Sequence, residues 1–242
     1  MPIEPSTFFL NLILGAAACV SAVTGFGYAL IAIPFLVLLV SPSVAVPVVL
    51  ISANPLAIVL IWGCYREMTP RRILHLLVFA LIGMPIGVHG LATLPAATTQ
   101  TIIGCTTIAS ALILMVRSGE PFVKERLAKA VAGLLSGLIG GASGMTGPPV
   151  VLLGLKQRWE HEGFRADLIG YFFLLHASMV LAFGQVGLLS GDALSLTARG
   201  LPGVVVGVAL GLWLKRRVDS ASYRRLVIGL VVVGGICATL LR

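Results

Sequence analysis

Two apolar stretches of this chain are too long for one membrane span and too short for two. The first, residues 8–40, runs for 33 residues without a charge, about 50 Å as a continuous helix against a hydrocarbon core of about 30 Å. It is interrupted at Thr24-Gly25-Phe26-Gly27, and the second stretch, residues 127–155, is interrupted by the glycine- and proline-rich run 140–149. In lipid, a broken backbone is tolerated only where it is buried in protein or lines a cavity. We therefore interpret both stretches as broken membrane helices, the first as a pair of short limbs, that meet at a transport site.

The composition places the chain in a membrane. Of its 242 residues, 58% are hydrophobic and 11% are charged, and the mean hydropathy is +1.04, which is more apolar surface than a soluble domain of this length buries. A net charge of +8 also occurs in nucleic-acid binders, but all Lys and Arg except Arg199 and Arg242 lie in four short loops, 66–72, 117–129, 156–165 and 215–225. That distribution is typical of topology signals. We predict a protein that contacts the lipid bilayer and no nucleic acid.

The same order of elements occurs twice along the chain. Apolar spans follow the first broken stretch at residues 44–62, 73–92 and 98–116, and the second at 166–184, 197–214 and 226–241. The fold class predicted is an all-α polytopic membrane protein of two repeats, each a broken or re-entrant helix pair plus three transmembrane helices. The repeats are residues 1–116 and 130–242, with a basic cytoplasmic linker at 117–129. Gly25 and Gly144 are 119 positions apart, which supports this correspondence.

The basic loops predict how the repeats are oriented. With all four loops in the cytoplasm, the second broken stretch begins and ends on the cytoplasmic side, whereas the first begins and ends outside. The repeats are then inverted, and both termini lie outside. In inverted repeats, broken helices meet near the bilayer midplane and their half-helix N-termini point at the substrate.

The paired breaks predict an anion site. A helix N-terminus carries about half a positive charge and free N–H groups, so two such ends at one cavity favour an anion. Glycines let a ligand approach the backbone, and hydroxyls add donors. The residues concerned are Thr24, Gly25, Gly27, Ser143, Gly144, Thr146 and Gly147. The alternative is that the glycines only permit tight helix packing, although packing alone requires no Pro148-Pro149 pair.

Three polar residues lie in the middle of corresponding spans: Ser52 and Asn54 in the first half, and His176 in the second. Polar groups at that depth either serve function or form interhelical hydrogen bonds, and both alternatives stay open.

None of the nine carboxylates is predicted at mid-membrane, which disfavours a cation substrate. An inside-negative potential favours outward movement of an anion by about 2.3 kcal/mol per charge per 100 mV. Export therefore needs no coupling ion, whereas uptake needs one, held by backbone carbonyls or as a proton on His176.

Enzyme chemistry finds no support in the sequence. No zinc-protease motif, nucleophile elbow or phosphate-binding loop occurs, and the four cysteines are isolated within or beside apolar runs, without metal-ligand spacing. We predict no catalytic residue, no cofactor and no metal site. The number of copies that assemble stays open, a homo-oligomer included.

Both broken stretches resemble a known family. The run 24–34, TGFGYALIAIP, the run 140–150, GGASGMTGPPV, and the later Phe164-Arg165-Ala166 are similar to the TauE/SafE family, the sulfite exporter or toluene-sulfonate uptake permease-like proteins. The repeat layout and the spacing of spans extend the resemblance over nearly the whole chain.

The resemblance implies a bacterial inner-membrane transporter of sulfur-containing oxyanions or organosulfonates, with the paired motifs forming the substrate site. Two further residues within the motifs, Tyr28 and Met145, are included in the expected site. Tyr28 departs from the glycine-richer form of many members, and its side chain would narrow the site or stack on an organic group. Our expectation is an exporter or facilitator. The alternatives are proton- or ion-coupled uptake of an organic anion and, in a different class, a membrane assembly protein that transports nothing.

Overall fold

A computed structural model describes residues 6–115, 120–215 and 217 of the chain, and all regular structure in that part is helical. The helices are α1 Thr7–Thr24, α2 Tyr28–Leu36, α3 Pro42–Trp62, α4 Pro70–Thr93, α5 Ala96–Met115, α6 Glu125–Ser143, α7 Gly147–Lys156, α8 His161–Gln185 and α9 Gly191–Lys215, with a short 3-10 turn at Tyr65–Glu67. Six of them, α1, α3, α4, α5, α8 and α9, are long and apolar enough to cross a membrane. The all-α membrane fold class is therefore confirmed. The predicted span 226–241 lies outside the described residues.

Both apolar stretches are broken where the glycines predict. Gly25 (φ +82°) ends α1 and Gly144 (φ +73°) ends α6, each in the left-handed conformation that glycine adopts without steric cost. Pro148 and Pro149 then occupy the first turn of α7, where a missing N–H costs no helical hydrogen bond.

The two limbs of each broken element are unequal. α1 has 18 residues against 9 in α2, and α6 has 19 against 10 in α7. The sequence analysis predicted a pair of short limbs in the first stretch, and this is wrong, because α1 alone qualifies as a span. Its length is about 27 Å, close to the thickness of the hydrocarbon core.

Two helix pairs pack at backbone contact, α1 with α9 and α4 with α6. Gly203 and Gly207 of α9 lie directly on the backbone of Asn11 and Gly15 in α1. In the other pair, Gly83 and Gly87 of α4 lie on the backbone of α6 in the same way. Small residues allow such close approach in membranes. Each pair joins the long limb of one half to the second span after the broken stretch of the other half.

Asn11 fastens the first of these pairs. Its Nδ2 donates to Arg199 O at 2.9 Å, and its Oδ1 accepts from the Gly203 N–H at 2.6 Å. In a regular α-helix the Gly203 N–H would donate to the carbonyl oxygen of Arg199, four residues earlier. The Asn11 amide therefore bridges a helical hydrogen bond of α9, one residue from Pro202, which lies inside that helix.

We expect Asn11→Ala to lower the free energy of unfolding by about 1–2 kcal/mol, because it leaves a backbone donor and acceptor of α9 without the bridging amide. Equilibrium unfolding in mixed detergent and SDS micelles measures the change. Leu12→Ala, at an exposed neighbouring side chain, is the control and is expected to change stability much less. Equal effects of the two substitutions would contradict the bridging role.

Two of the remaining spans, α3 and α8, lie at the centre of the described molecule. α3 and α8 are the most buried spans and pack against each other. α8 begins with an N-cap, where the Glu160 carboxylate accepts from the Gly163 N–H at 2.7 Å and the Glu162 N–H at 3.1 Å. These hydrogen bonds hold the pKa of the Glu160 carboxyl below its usual value.

Candidate functional site

The two helix breaks open onto one cavity between α3 and α8, with a volume of about 50 Å³. The end of α1 and the first turn of α2 form one wall, and the turn leading into α7 forms another. Gly27 and Gly147, which precede and begin the two short limbs, both line it. The chain thus brings two helix N-termini to a single space.

Seven of the residues predicted for the site line this cavity: Gly25, Gly27, Tyr28, Met145, Thr146, Gly147 and His176. The other five are not among its lining residues: Thr24, Ser52, Asn54, Ser143 and Gly144. The following contacts explain what these five do instead.

Thr24 and Ser143 shape the two breaks with the same pattern of hydrogen bonds. Thr24 Oγ1 donates to Val20 O at 2.9 Å and accepts from the Phe26 N–H at 3.3 Å. Ser143 Oγ donates to Ile139 O at 2.8 Å and accepts from the Met145 N–H at 3.3 Å. Each hydroxyl therefore gives an acceptor to the backbone N–H two residues later, where its helix has ended.

Gly144 and the polar residues of α3 face neighbouring helices. A Cβ on Gly144 would press against Ile33 and Val46, so this glycine permits close packing of α2 and α3. Ser52 Oγ donates to Val48 O at 2.7 Å and lies 2.8 Å from the hydroxyl of Tyr28, which positions that cavity residue. Asn54 Nδ2 donates to Leu50 O at 2.8 Å, while its buried Oδ1 has no hydrogen-bond partner among the described residues.

The cavity walls from α3 and α8 are formed by positions that correspond in the two halves of the chain but carry different side chains. Ala53 and Ala57 line the cavity from α3, and Phe172 and His176, which follow them by 119 positions, line it from α8. The Phe172 and His176 rings stack with centroids 5.7 Å apart and planes at 11°. One wall is therefore small and apolar, and the other is aromatic with one ionisable group.

A hydrogen-bond network behind the second break fixes this aromatic wall. Thr146 Oγ1 lies 3.0 Å from His176 Nε2, and Thr146 O accepts from Ser136 Oγ at 2.6 Å. The Tyr171 hydroxyl donates to Ser136 Oγ at 2.8 Å. Ser136, Tyr171 and Phe172 were not predicted from the sequence. The hydroxyls of Ser136 and Tyr171 lie deep in apolar stretches, which marks a candidate position in a membrane helix, whereas Phe172 carries no such signal.

Arg165 supplies a buried positive charge beside the first break. The sequence analysis assigned it to a basic loop, but it lies in the second turn of α8 with 6% of its surface exposed. Its Nη2 donates to Ala22 O at 2.7 Å and its Nε donates to Val23 O at 3.2 Å. A guanidinium here compensates the negative C-terminal end of α1. The equivalent position, 119 residues earlier, is Val46, which lies beside Gly144 as Arg165 lies beside Gly25.

The two helix N-termini offer unequal numbers of donors. In α2 the N–H groups of Tyr28, Ala29 and Leu30 precede the first intrahelical bond, in which Ile31 donates to Gly27 O at 3.1 Å. In α7 the second and third residues are prolines, so Gly147 alone carries an N–H among the first three. The α2 end is therefore the richer source of backbone donors.

Carboxylates are kept away from this space. Among the described residues that line the cavity, none is acidic. Asp167 is 2% exposed in α8 but is bound elsewhere, by Arg72 Nη1 at 2.5 Å and by the Thr69 N–H at 2.6 Å. In the part of the chain that the structure describes, no cluster of His, Cys, Asp or Glu could hold a metal ion.

Comparison with known proteins gives one match. The family model described as "Sulfite exporter TauE/SafE" matches residues 10–237, which is nearly the whole chain and includes both breaks. No curated protein and no solved structure matches the chain.

Proposed function

The chain belongs to the sulfite exporter TauE/SafE family, and we propose that it is a membrane transporter that exports a small sulfur-containing anion, such as sulfite, through the cavity between α3 and α8. The observation that carries this proposal is the pair of helix N-termini at one cavity whose described lining contains no carboxylate. Each N-terminus contributes about half a positive charge, and its N–H groups bind anions directly.

Arg165 adds to this preference. The guanidinium bonds to carbonyl oxygens of the last turn of α1, which otherwise present negative partial charge next to Gly25. With these oxygens occupied, positive potential from the α2 and α7 ends dominates the cavity. Arg165 acts here as a positioning residue through the helix end that it covers.

The size of the cavity favours a small oxyanion over an aromatic sulfonate. One water molecule needs roughly 10–15 Å³ of such cavity volume, so about 50 Å³ holds a cluster of three to five atoms of that size. Sulfite has four heavy atoms. The side chains of Phe172, His176 and Tyr28 are among those that bound this space.

We infer that the repeats are inverted in a bacterial inner membrane, with the basic loops inside and both termini outside. The loop charges support this orientation. The matched contacts of Gly25 with Arg165 and of Gly144 with Val46 support a twofold relation between the halves. An inside-negative potential then drives the anion outward without a coupling ion.

Proton-coupled uptake is the second candidate, and His176 is the observation that favours it. It is the one histidine among the described lining residues, and its Nε2 lies 3.0 Å from Thr146 Oγ1 at the start of α7. A proton gained there would place a positive charge beside the anion.

A binding and flux experiment tests the proposed function. Calorimetry on the purified protein compares sulfite, thiosulfate, methanesulfonate, toluenesulfonate and acetate, and proteoliposomes loaded with the tightest binder report efflux under an imposed potential. We expect sulfite to bind at least tenfold more tightly than toluenesulfonate, and efflux to follow the potential. A dependence of flux on a pH gradient at zero potential would favour the proton-coupled alternative. Absence of binding and flux for every anion would contradict transport.

A further inference from the structure

A second, larger space lies on the opposite side of α7. This groove, called here the α5–α6 groove, has a volume of about 710 Å³ and is walled by α5, α6 and α7. Its lining is almost entirely apolar, with Ile113 from α5, Val131 and Leu135 from α6, and Pro149 from α7 as examples. Val131 and Leu135 are among the exposed side chains, so the groove opens to the outside of the described bundle.

The length of the groove matches one lipid molecule. Its lining on the α6 side runs from Lys124, just before the helix, to Ile139, which corresponds to about 22 Å at 1.5 Å per residue. A bilayer is about 40–45 Å thick with its headgroups, so one leaflet accounts for roughly 20–22 Å. An acyl chain with its headgroup therefore fits the groove from end to end.

Among the described lining residues, Lys124 is the one charged side chain. It is exposed just before α6, where Glu125 is paired with Lys129 at 2.8 Å and Arg126 follows, whereas the other end is lined by Ile139 and Pro148. Lysine at the membrane surface attracts anionic headgroups. A second copy of the chain, inserted in the same orientation, would bring the same lysine to the same level, and like charges would repel. Charge complementarity thus favours a lipid over a self-dimer.

We propose that the α5–α6 groove binds one anionic glycerophospholipid, with its acyl chain along α6 and its phosphate at Lys124. This lipid site lies against α7, the short limb whose first residue lines the anion cavity. Pro148 and Pro149 line the groove, while Gly147, one residue earlier, lines the cavity. The bound lipid therefore packs against α7 beside the residue that lines the cavity.

Native mass spectrometry tests this site. The protein is reconstituted in nanodiscs of phosphatidylcholine with a minor fraction of phosphatidylglycerol of the same acyl chains, then released, and the retained lipids are counted. We expect one phosphatidylglycerol to be retained preferentially. Lys124→Gln should weaken that preference about fivefold, and Val131→Trp, which fills the groove, should remove the retained lipid.

Two variants serve as matched controls. Lys156→Gln removes the same charge from the end of α7, outside the groove lining, and Val205→Trp adds the same bulk to an exposed position of α9. Both variants should keep the lipid.

Equal retention of the two lipids, or equal effects of Lys124→Gln and Lys156→Gln, would overturn the proposal. So would a wild-type dimer that Val131→Trp dissociates, since a second copy would then occupy the groove. A wild type that retains no lipid, together with a Val131→Trp variant that unfolds earlier in pure detergent, would show the groove to be covered by the chain itself. Lipids are counted by mass, so the result is separate from anion transport.

Discussion

Gly147→Val weakens sulfite binding at least tenfold in the protein that folds. Gly147 lines the anion cavity, and apart from its chain neighbours a Cβ added there meets nothing closer than the Phe172 ring at 3.7 Å. The ring of Pro148 crowds a side chain on the helical residue before it, so valine is expected to cost some stability. Valine also places three carbon atoms in a cavity of about 50 Å³. It also covers the one N–H among the first three residues of α7. Calorimetry measures the affinity, and thermal unfolding confirms the fold.

Gly191→Val is the matched control for this prediction. Gly191 also begins a helix, α9, has open space around it and is not among the residues that line the cavity. It should keep full affinity. Gly144→Ala provides a contrast, because a left-handed φ and the contact with Ile33 make it costly to fold. If Gly147→Val folds normally and binds sulfite as well as the wild type, the cavity is not the anion site.

Gly87→Ala and Gly207→Ala separate the closely packed helix pairs and destabilise the protein by about 2–3 kcal/mol each. An added Cβ at Gly87 would overlap Leu138 O of α6, and one at Gly207 would overlap Gly15 O of α1. Both neighbours are backbone atoms, which cannot move aside as a flexible side chain can. Equilibrium unfolding in mixed SDS micelles and the fraction of monodisperse protein after purification measure the loss.

Gly90→Ala is the internal control for the helix pairs. It lies one turn after Gly87 in α4, and the nearest atom to an added Cβ is the end of the Leu94 side chain at 3.6 Å. Alanine is also the better helix former by up to about 1 kcal/mol. The substitution should be neutral or slightly stabilising. A Gly87→Ala variant as stable as Gly90→Ala would mean that α4 and α6 do not touch through their backbones.

The positions of the breaks could be predicted because their signals are local. A glycine that must adopt a positive φ, such as Gly25 or Gly144, and a pair of prolines at a helix start act on their own few residues. Hydropathy, by contrast, records an average over many residues. It therefore did not distinguish a pair of short limbs from the long α1 and the short α2.

The direction in which each residue faces could not be predicted in the same way. Gly144 and Gly147 belong to one motif, yet the first packs on α2 and the second lines the cavity. That difference depends on how α6, α7 and α8 pack, which involves residues far apart in sequence. The same packing links Ser136 to Tyr171 and buries Arg165 against α1. Individual residue types indicate such partners only after the helices are placed.

The backbone contacts of α1 with α9 and of α4 with α6 also limit how this protein can move. Helices that touch through glycine and carbonyl atoms cannot slide or rotate past each other without collision. Each pair should therefore move as one rigid body, and each rigid body contains one helix from each half of the chain. Tilting the α1–α9 pair would displace the end of α1 at Gly25, and tilting the α4–α6 pair would displace the end of α6 at Gly144. A motion that opens the cavity should therefore move α1 together with α9, or α4 together with α6.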